Sequence, residues 1–383
     1  MAKILHITTV PCSLGFLDGQ VGALKERGFS FDAISSSGEA LWSFGRRHGV
    51  RVHAVEMTRA VSPFADLRAV AELIAVIRRV SPDLVHAHTP KAGLLGMISA
   101  SVAGVQTRLY TMRGLLTETA TGPRRLAFLA AERVASRLAH RVVCQSPSLR
   151  QSAIDEGIVG ADHACVLGRG GNGTDATHRF EPDRWREKAL TLRAQLGISP
   201  EVPVLGFVGR LVGDKGVHEL CEAWNSLRIE FPRLHWLIVG PEEVRDALDP
   251  EVLETLRHDS RVHLIGSVEE VAPYYGAMNV VALPSYREGL PNVPLEASAM
   301  STPVVATRVT GCIDAVVDGE TGVLVPPRSS EALRVAIASY LREPEKGRKH
   351  GAAGRRFVLE NYAPERLHRA TELLYRTMLG EHR

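Results

Sequence analysis

Residues 285–297 read SYREGLPNVPLEA, with two carboxylates, Glu288 and Glu296, on either side of a Gly-Leu-Pro-Asn turn. A single solvated helix face carrying salt bridges is the cheapest account of two acids at this spacing. Gly289, Pro291 and Pro294 exclude it, because glycine weakens a helix and proline removes a backbone donor and collides with the preceding turn. The two glutamates therefore stand on different elements. VVALPS (280–285) before them reads as a buried strand, and Pro294 suits the first turn of a helix. Glu288 then lies in a loop at the carboxyl end of a strand, and Glu296 on the helix that follows.

The same strand–loop–helix step recurs along the chain. Short apolar, β-branched runs (KILHIT, FDAIS, RVHAV, LVHAH, RLYTM, RVVCQS, ACVLG) alternate with helix-period segments such as FADLRAVAELIAVIRRV and RRLAFLAAERVASRLAH. A glycine-rich turn and a charged helix, RWREKALTLRAQLG, interrupt the series between 168 and 203. A second series follows: VPVLGFVGR, LHWLIVG, RVHLIGS, VVALPS, PVVAT and GVLV. Repeated βαβ units imply parallel sheets, hence an α/β protein of two Rossmann-like, doubly wound domains joined near 172–200. Ligands in such folds sit at the carboxyl ends of the strands, and a deep cleft there is the expected site.

Composition agrees. A chain of 383 residues with 45% hydrophobic content can bury two cores. Its five cysteines (12, 144, 165, 221, 312) form no CxxC pair, so neither a disulfide framework nor a cysteine-rich zinc site is expected, and a reducing cytoplasm fits. MAKILHITTV lacks the pattern of a signal peptide and no run approaches a membrane span, so export and membrane spanning are not expected. Residues 1–175 carry 20 Lys+Arg against 14 Asp+Glu, net +6, and the remainder is net −3. The N-terminal half is the expected face for an anionic partner. With aromatic residues at only 5%, no stacking platform for nucleic acid is visible, which favours an acidic membrane surface or a phosphorylated acceptor.

A carboxylate accepts two hydrogen bonds from a vicinal diol, which both a hexose and a ribose offer. Backbone N–H groups at a turn and a helix start can meet phosphate oxygens between two such sugars. The 285–297 stretch thus matches a nucleotide-sugar. Gly168, Gly170 and Gly173 also spell GxGxxG, the mark of a nicotinamide-binding turn, but TDATHRFEP after it is no amphipathic helix start. Asn172-Gly173-Thr174 fits a glycosylation acceptor, which without a secretion signal reads as a turn. No Asp-x-Asp occurs, so the usual metal–diphosphate motif of single-domain transferases is missing, and charge neutralisation without a metal or other cofactor is expected.

Several stretches together resemble the retaining glycosyltransferases of family 4, with their two-domain GT-B fold and Glu-x7-Glu signature. GFVGRLVGDKGVHEL is similar to the family's GR-x4-KG element, and EGLPNVPLEASAMSTPVVAT to its EG-(F/L)-(G/P)-x4-EA-x-A-x-G-x-PVVA element. DGETGVLVPP and GRGGNGTD resemble a later strand-turn and the interdomain turn. HAHTPKAGLLGMISASVAGVQTRLYT looks like the branch that builds capsule, O-antigen and lipid-linked oligosaccharides. The resemblance implies an acceptor-binding domain over 1–172, with a C-terminal helix of about 362–383 packing back on it, and a nucleotide-sugar-binding domain over 173–361. It implies Arg210 and Lys215 as clamps on the donor diphosphate, Glu288 on hydroxyls of the transferred sugar and Glu296 on the ribose. Gly289, Leu290, Pro291 and Asn292 form the donor turn. For each, a bland alternative stands: a surface Arg and Lys in a turn, or Glu296 capping its helix. The product would come from a hexose or N-acetylhexosamine carried by a nucleotide, UDP by expectation, placed on a polyprenyl-diphosphate-linked glycan at the cytoplasmic membrane face. A small-metabolite acceptor, a GT-B nucleotide-sugar epimerase and a non-catalytic nucleotide-sugar-binding protein remain alternatives.

In the N-terminal domain Gly15 occupies the region where the family's glycine-containing loop approaches the diphosphate, though a Gly-Gly pair is absent. His86 and His88 alternate at a strand end and are expected not to share a metal site. His88 is an acceptor-side candidate, with Lys91 assisting. Where many relatives read YT-x-HG this chain reads YTMRG, placing Arg113, which stays protonated and cannot act as a base. Arg113 then pairs with a phosphate of donor or acceptor, or with Glu118. On PFADLRAVAELIAVIRRV the stripe Leu67, Val70, Leu73, Ile74 and Ile77 reads as core, leaving peripheral contact with anionic membrane to exposed arginines such as Arg78 and Arg79.

Overall fold

The computed structural model describes residues 1–243 and 248–380. It divides into two units, Met1–Gly173 with Pro364–Arg383, and Thr174–Ala363.

The first unit holds seven strands: β1 (Ala2–Ile7), β2 (Phe29–Ser35), β3 (Arg51–Ala54), β4 (Leu84–His88), β5 (Thr107–Met112), β6 (Arg141–Cys144) and β7 (Ala164–Cys165). They form one parallel sheet in the order β3-β2-β1-β4-β5-β6-β7. Crossover helices cover both faces, so its central strands are apolar on both sides; every residue of β4 is buried. The chain reverses direction across the sheet between β1 and β4, and loops at that switch point open a crevice.

One crossover helix, Pro63–Val80, corrects the sequence expectation. Leu73 and Ile77 are buried as expected, joined by Ala69, Val76 and Val80, but Leu67 is 70% exposed. At 18 residues this helix is about 27 Å long, whereas a five-residue strand spans about 17 Å, so its first turns overrun the sheet that would bury them. The helix Pro364–Met378 packs on this unit through Leu367, His368, Thr371 and Tyr375. Tyr375 meets Phe29 edge-on at 5.6 Å, and Gln20 donates to Thr371 at 2.8 Å. The expected helix ran to 383; residues 381–383 lie outside the described residues.

The second unit holds β8 (Val204–Val208), β9 (His235–Val239), β10 (Val262–Gly266), β11 (Val280–Leu283), β12 (Val304–Thr307) and β13 (Gly322–Val325). Its parallel order is β10-β9-β8-β11-β12-β13, with the switch point between β8 and β11. The charged segment before it is the helix Pro182–Gln195. Arg193 on that helix is only 6% exposed and donates to the carbonyls of Ala277, Ser199, Pro200 and Val202 and to Asn279 Oδ1. Among the described residues, no helix is long and apolar enough to cross a membrane.

Candidate functional site

In the second unit the predicted donor residues gather at the carboxyl ends of β8 and β11, the two strands that flank the switch point. β8 runs out through Gly209 and Arg210 into the turn Gly213–Lys215, and Gly216 opens the helix Val217–Glu230. Gly216 has φ +67°, and a Cβ there would fall 2.1 Å from the Pro284 carbonyl oxygen. Only glycine lets the Lys215 turn lie against the backbone that follows β11. That approach is then locked. Tyr286 N–H donates to the Asp214 carbonyl at 2.9 Å, and the Arg287 guanidinium pairs with the Asp214 carboxylate at 2.8 Å. The Tyr286 hydroxyl donates to the Glu219 carboxylate at 2.7 Å, and Arg328 stacks on the Tyr286 ring at 3.9 Å. Burial and the Glu219 carboxylate push the Tyr286 phenol up to about 12.

The consequence is a contact that the sequence reading did not anticipate. Lys215 Nζ donates to Glu288 Oε1, so two predicted site residues 73 positions apart are joined directly. Ser285 Oγ donates to the same oxygen at 2.7 Å, and the Thr307 hydroxyl holds the Ser285 carbonyl. Glu288 therefore stands in a fixed orientation beside a cation, with 12% of its side chain exposed. Arg210 is more open, 42% exposed, and pairs with Glu243 at 3.2 Å.

Beyond Glu288 the turn tightens. Gly289 and Leu290 are buried, and Gly311 (φ +77°) packs so closely that a Cβ would lie 2.6 Å from the Gly289 carbonyl oxygen. Pro291 is the N-cap of the helix Asn292–Ala299, whose start has no side-chain cap, and neither has the start of Val217–Glu230. Unpaired N–H groups and the helix dipole at such starts favour an anion. Glu296 sits partly buried on the first of these helices and accepts from the Tyr275 hydroxyl at 2.9 Å. Burial raises its pKa, with the Tyr275 bond and the Arg179 charge opposing. Its carboxylate thus faces Tyr275 rather than capping its own helix.

The first unit departs further from expectation. Gly15 lies in a 3-10 helix, Pro11–Leu17, and a Cβ on it would meet only Asp18 at 3.8 Å, an ordinary contact, so the backbone here does not demand glycine. Lys91 pairs with Asp66 at 2.5 Å and donates to the Ala60 carbonyl, so its ammonium is held by the loop at 58–60 and the helix that follows. His86 and His88, expected not to share a metal site, stand close together on one face of β4. Residues two apart on a strand share a face, and their rings lie 4.0 Å apart. His6, paired with His86 across the β1–β4 register, completes a cluster whose ring nitrogens lie within 4.8 Å of one another.

The three rings belong to a hydrogen-bonded network. His86 is held at both nitrogens, by the Tyr375 hydroxyl (2.7 Å) and the Thr111 hydroxyl (2.6 Å). Arg113 Nη2 approaches His88 Nδ1 at 3.5 Å, which makes that nitrogen the acceptor. His88 Nε2–H then donates to His6 Nδ1 at 2.9 Å. Burial, with the Arg113 charge adding to it, drives the His6 pKa down to about 3 and those of His86 and His88 well below the usual value. A fixed guanidinium beside neutral imidazoles is a poor setting for a dication, although His6 Nε2 is buried without a hydrogen-bond partner among the described residues. Arg113 itself donates to Asn172 at 2.8 Å and lies 4.2 Å over the Phe16 ring. His6, Tyr375 and Asn172 were missed from sequence. The neighbouring positions of β1 and β4 in a doubly wound order would have found His6, and Asn172 lies in the GRGGNGTD turn already singled out.

Comparison with known proteins accords with this geometry. The sequence profile for "Glycosyl transferase 4-like domain" matches residues 17–170 and that for "Glycosyl transferases group 1" matches 202–343. The capsular polysaccharide biosynthesis glycosyltransferase CapM of Staphylococcus aureus is 30% identical over 381 residues, covering 99% of this chain and 98% of CapM. Among solved structures, a sucrose-phosphate synthase from Thermosynechococcus elongatus superposes with a TM-score of 0.83 at 22% identity, covering 100% of both chains. HepE from Anabaena, solved with UDP-glucose, gives 0.80 at 22% identity, over 98% of this chain and 100% of HepE. At those identities the two structures establish the fold. The chain belongs to the GT-B glycosyltransferases, a family-4-like N-terminal domain followed by a group 1 glycosyl transferase domain.

Proposed function

We propose that this glycosyltransferase acts with retention, moving a hexose or N-acetylhexosamine from a UDP-sugar to a lipid-linked glycan in surface-polysaccharide synthesis. The observation that carries the reading is the Lys215–Glu288–Ser285 cluster at the switch point of the C-terminal unit, between two uncapped helix starts. Full-length similarity to CapM supports a polysaccharide product, and the UDP-glucose complex of HepE shows what a protein of this fold accommodates.

In this scheme the anomeric carbon's bond to the β-phosphate oxygen breaks, and a bond to the acceptor oxygen forms on the same face. The acceptor's proton passes to the departing phosphate oxygen, so no side chain need act as base. Arg210 and Lys215 neutralise the charge that develops on the diphosphate; to do so they exchange Glu243 and Glu288 for phosphate oxygens. Glu288, released from Lys215 but held by Ser285, accepts from hydroxyls of the sugar. Glu296 accepts from the ribose. We assign the acceptor to the N-terminal unit, with His88 and Arg113 facing it. At the membrane, exposed Arg78 and Arg79 supply charge, and Phe64 and Leu67, 91% and 70% exposed, supply apolar contact. Because side chains supply the cations, UDP is expected to bind in EDTA. Titration calorimetry with UDP and UDP-sugars in the presence and absence of EDTA tests this, and affinity that vanishes with the chelator would contradict it.

A further inference from the structure

Arg113, just past the end of β5, sits in a pocket where no charge among the described residues balances it. Arg193 shows what a structural buried arginine looks like here: its guanidinium is met by five oxygen acceptors. Arg113 has one close acceptor, Asn172 Oδ1, which also receives Gln145 at 3.3 Å. Its contact to His88 is long, its flat face covers Phe16, and its Nε–H is buried with no partner. The pocket in front of it is lined by Phe16, Gln20, Thr111, Gln145, Thr371 and the two β4 histidines, and among its described lining residues there is no carboxylate. The histidines are held neutral by burial, so they do not compensate the charge and, if protonated, would add to it. Burial also lowers the Arg113 pKa to about 9, which leaves it charged at neutral pH.

A partly desolvated guanidinium with unmade hydrogen bonds is costly in an empty protein and strongly attracts a planar or tetrahedral oxyanion. The cavity measures about 30 Å³, against about 10–15 Å³ for a single water. It admits the oxygens of one acidic group but not a sugar ring. We propose that Arg113 anchors an oxyanion subsite in the N-terminal unit, which receives the carboxylate or phosphate of an acidic acceptor. Assigning the anion to the acceptor rests on the function proposed above; the subsite itself does not, because anion binding needs no turnover.

The test melts the full-length protein with millimolar sodium glucuronate, glucose, sodium phosphate or sodium chloride at matched ionic strength. Glucuronate, phosphate or both are expected to raise the melting temperature by about 2–4 °C at a few times their Kd, while glucose and chloride do not. A rise with glucuronate alone identifies a carboxylate, with phosphate alone a phosphate ester; both support the subsite. Arg113→Gln should abolish the rise, melt no lower than the parent without anion because it removes an uncompensated charge, and bind UDP within about threefold of the parent. Arg113→Lys, which keeps charge but not the fork, should retain a smaller rise. The subsite is refuted if neither anion stabilises the parent, if the rise survives in Arg113→Gln, or if Arg113→Gln melts as far below the parent as Arg193→Gln does. Loss of UDP affinity by more than tenfold in Arg113→Gln would instead give the arginine to the donor diphosphate and overturn the acceptor assignment.

Discussion

Arg113, at the carboxyl end of the N-terminal sheet, is treated unlike the cations at the carboxyl end of the other sheet. In the C-terminal unit Lys215, Arg210 and Arg287 each pair with a carboxylate, Glu288, Glu243 and Asp214. In the N-terminal unit Lys91 also pairs with a carboxylate, Asp66, but Arg113 has only neutral partners among the described residues. On the function proposed above, the first arrangement admits a diphosphate by exchanging partners, which couples donor binding to the orientation of Glu288. The second holds charge that a ligand must neutralise. On the same reading, the first site releases its ligand by restoring those pairs, and the second selects for an acidic one.

Several substitutions sharpen or break that contrast, beginning with the largest effect. Lys215→Ala should lower turnover by about 100- to 1000-fold, the scale of losing one preorganised group that stabilises transition-state charge. Glu288→Ala should reduce turnover by a comparable factor yet leave UDP affinity unchanged or tighter, because Lys215 loses its competitor. If Glu288→Ala abolished UDP binding while sparing turnover at saturation, the partner-exchange account would fail. Glu296→Ala should weaken UDP binding and turnover together.

Arg193→Gln should cost about 3–5 kcal/mol of stability in urea melts, since buried carbonyls lose a charged donor. Arg113→Gln, by contrast, should cost nothing. Equal losses would erase the difference between the two arginines.

Acid separates the units more gently. His6 has a folded pKa of about 3 against an ordinary value near 6.5. Between those limits the unfolded chain binds the extra proton, so stability falls as pH drops, by up to about 1.4 kcal/mol per pH unit from this group, and is fully present above pH 6.5. His86 and His88 act in the same direction, and the Arg113 charge opposes protonation of all three. Urea melts from pH 7 to pH 4 should show this slope, and His6→Asn should flatten it.

Much of the fold was legible from sequence. Each quoted apolar run corresponds to a strand, because a parallel sheet covered on both faces imposes near-continuous β-branched runs. Glu288 and Glu296 were placed on their loop and helix by Gly289, Pro291 and Pro294 alone. What failed was adjacency. Lys215 and Glu288 meet because β8 and β11 are neighbours while β9 and β10 lie on the other side, an order that a list of strands does not contain. Leu67 failed because periodicity does not say where the covering sheet ends, and the closeness of His86 and His88, which their spacing of two on one strand implies, was not drawn from sequence. The last turn of the Pro63–Val80 helix, with exposed Arg78 and Arg79, carries the smallest predicted effect, about 1 kcal/mol per arginine at an anionic surface. Cosedimentation with anionic but not zwitterionic liposomes at low salt should weaken in the double variant Arg78→Glu, Arg79→Glu, with UDP binding unaltered. Equal recovery with both lipids would favour a soluble acceptor.

The most direct test of the account is release of UDP from a panel of UDP-sugars in EDTA, with and without a membrane glycolipid extract, by the parent and by Lys215→Ala. The account predicts release that depends on the acceptor, persists in EDTA and falls by at least about 100-fold in the variant. Donor conversion that needs no acceptor, or release that Lys215→Ala leaves unchanged, would contradict it.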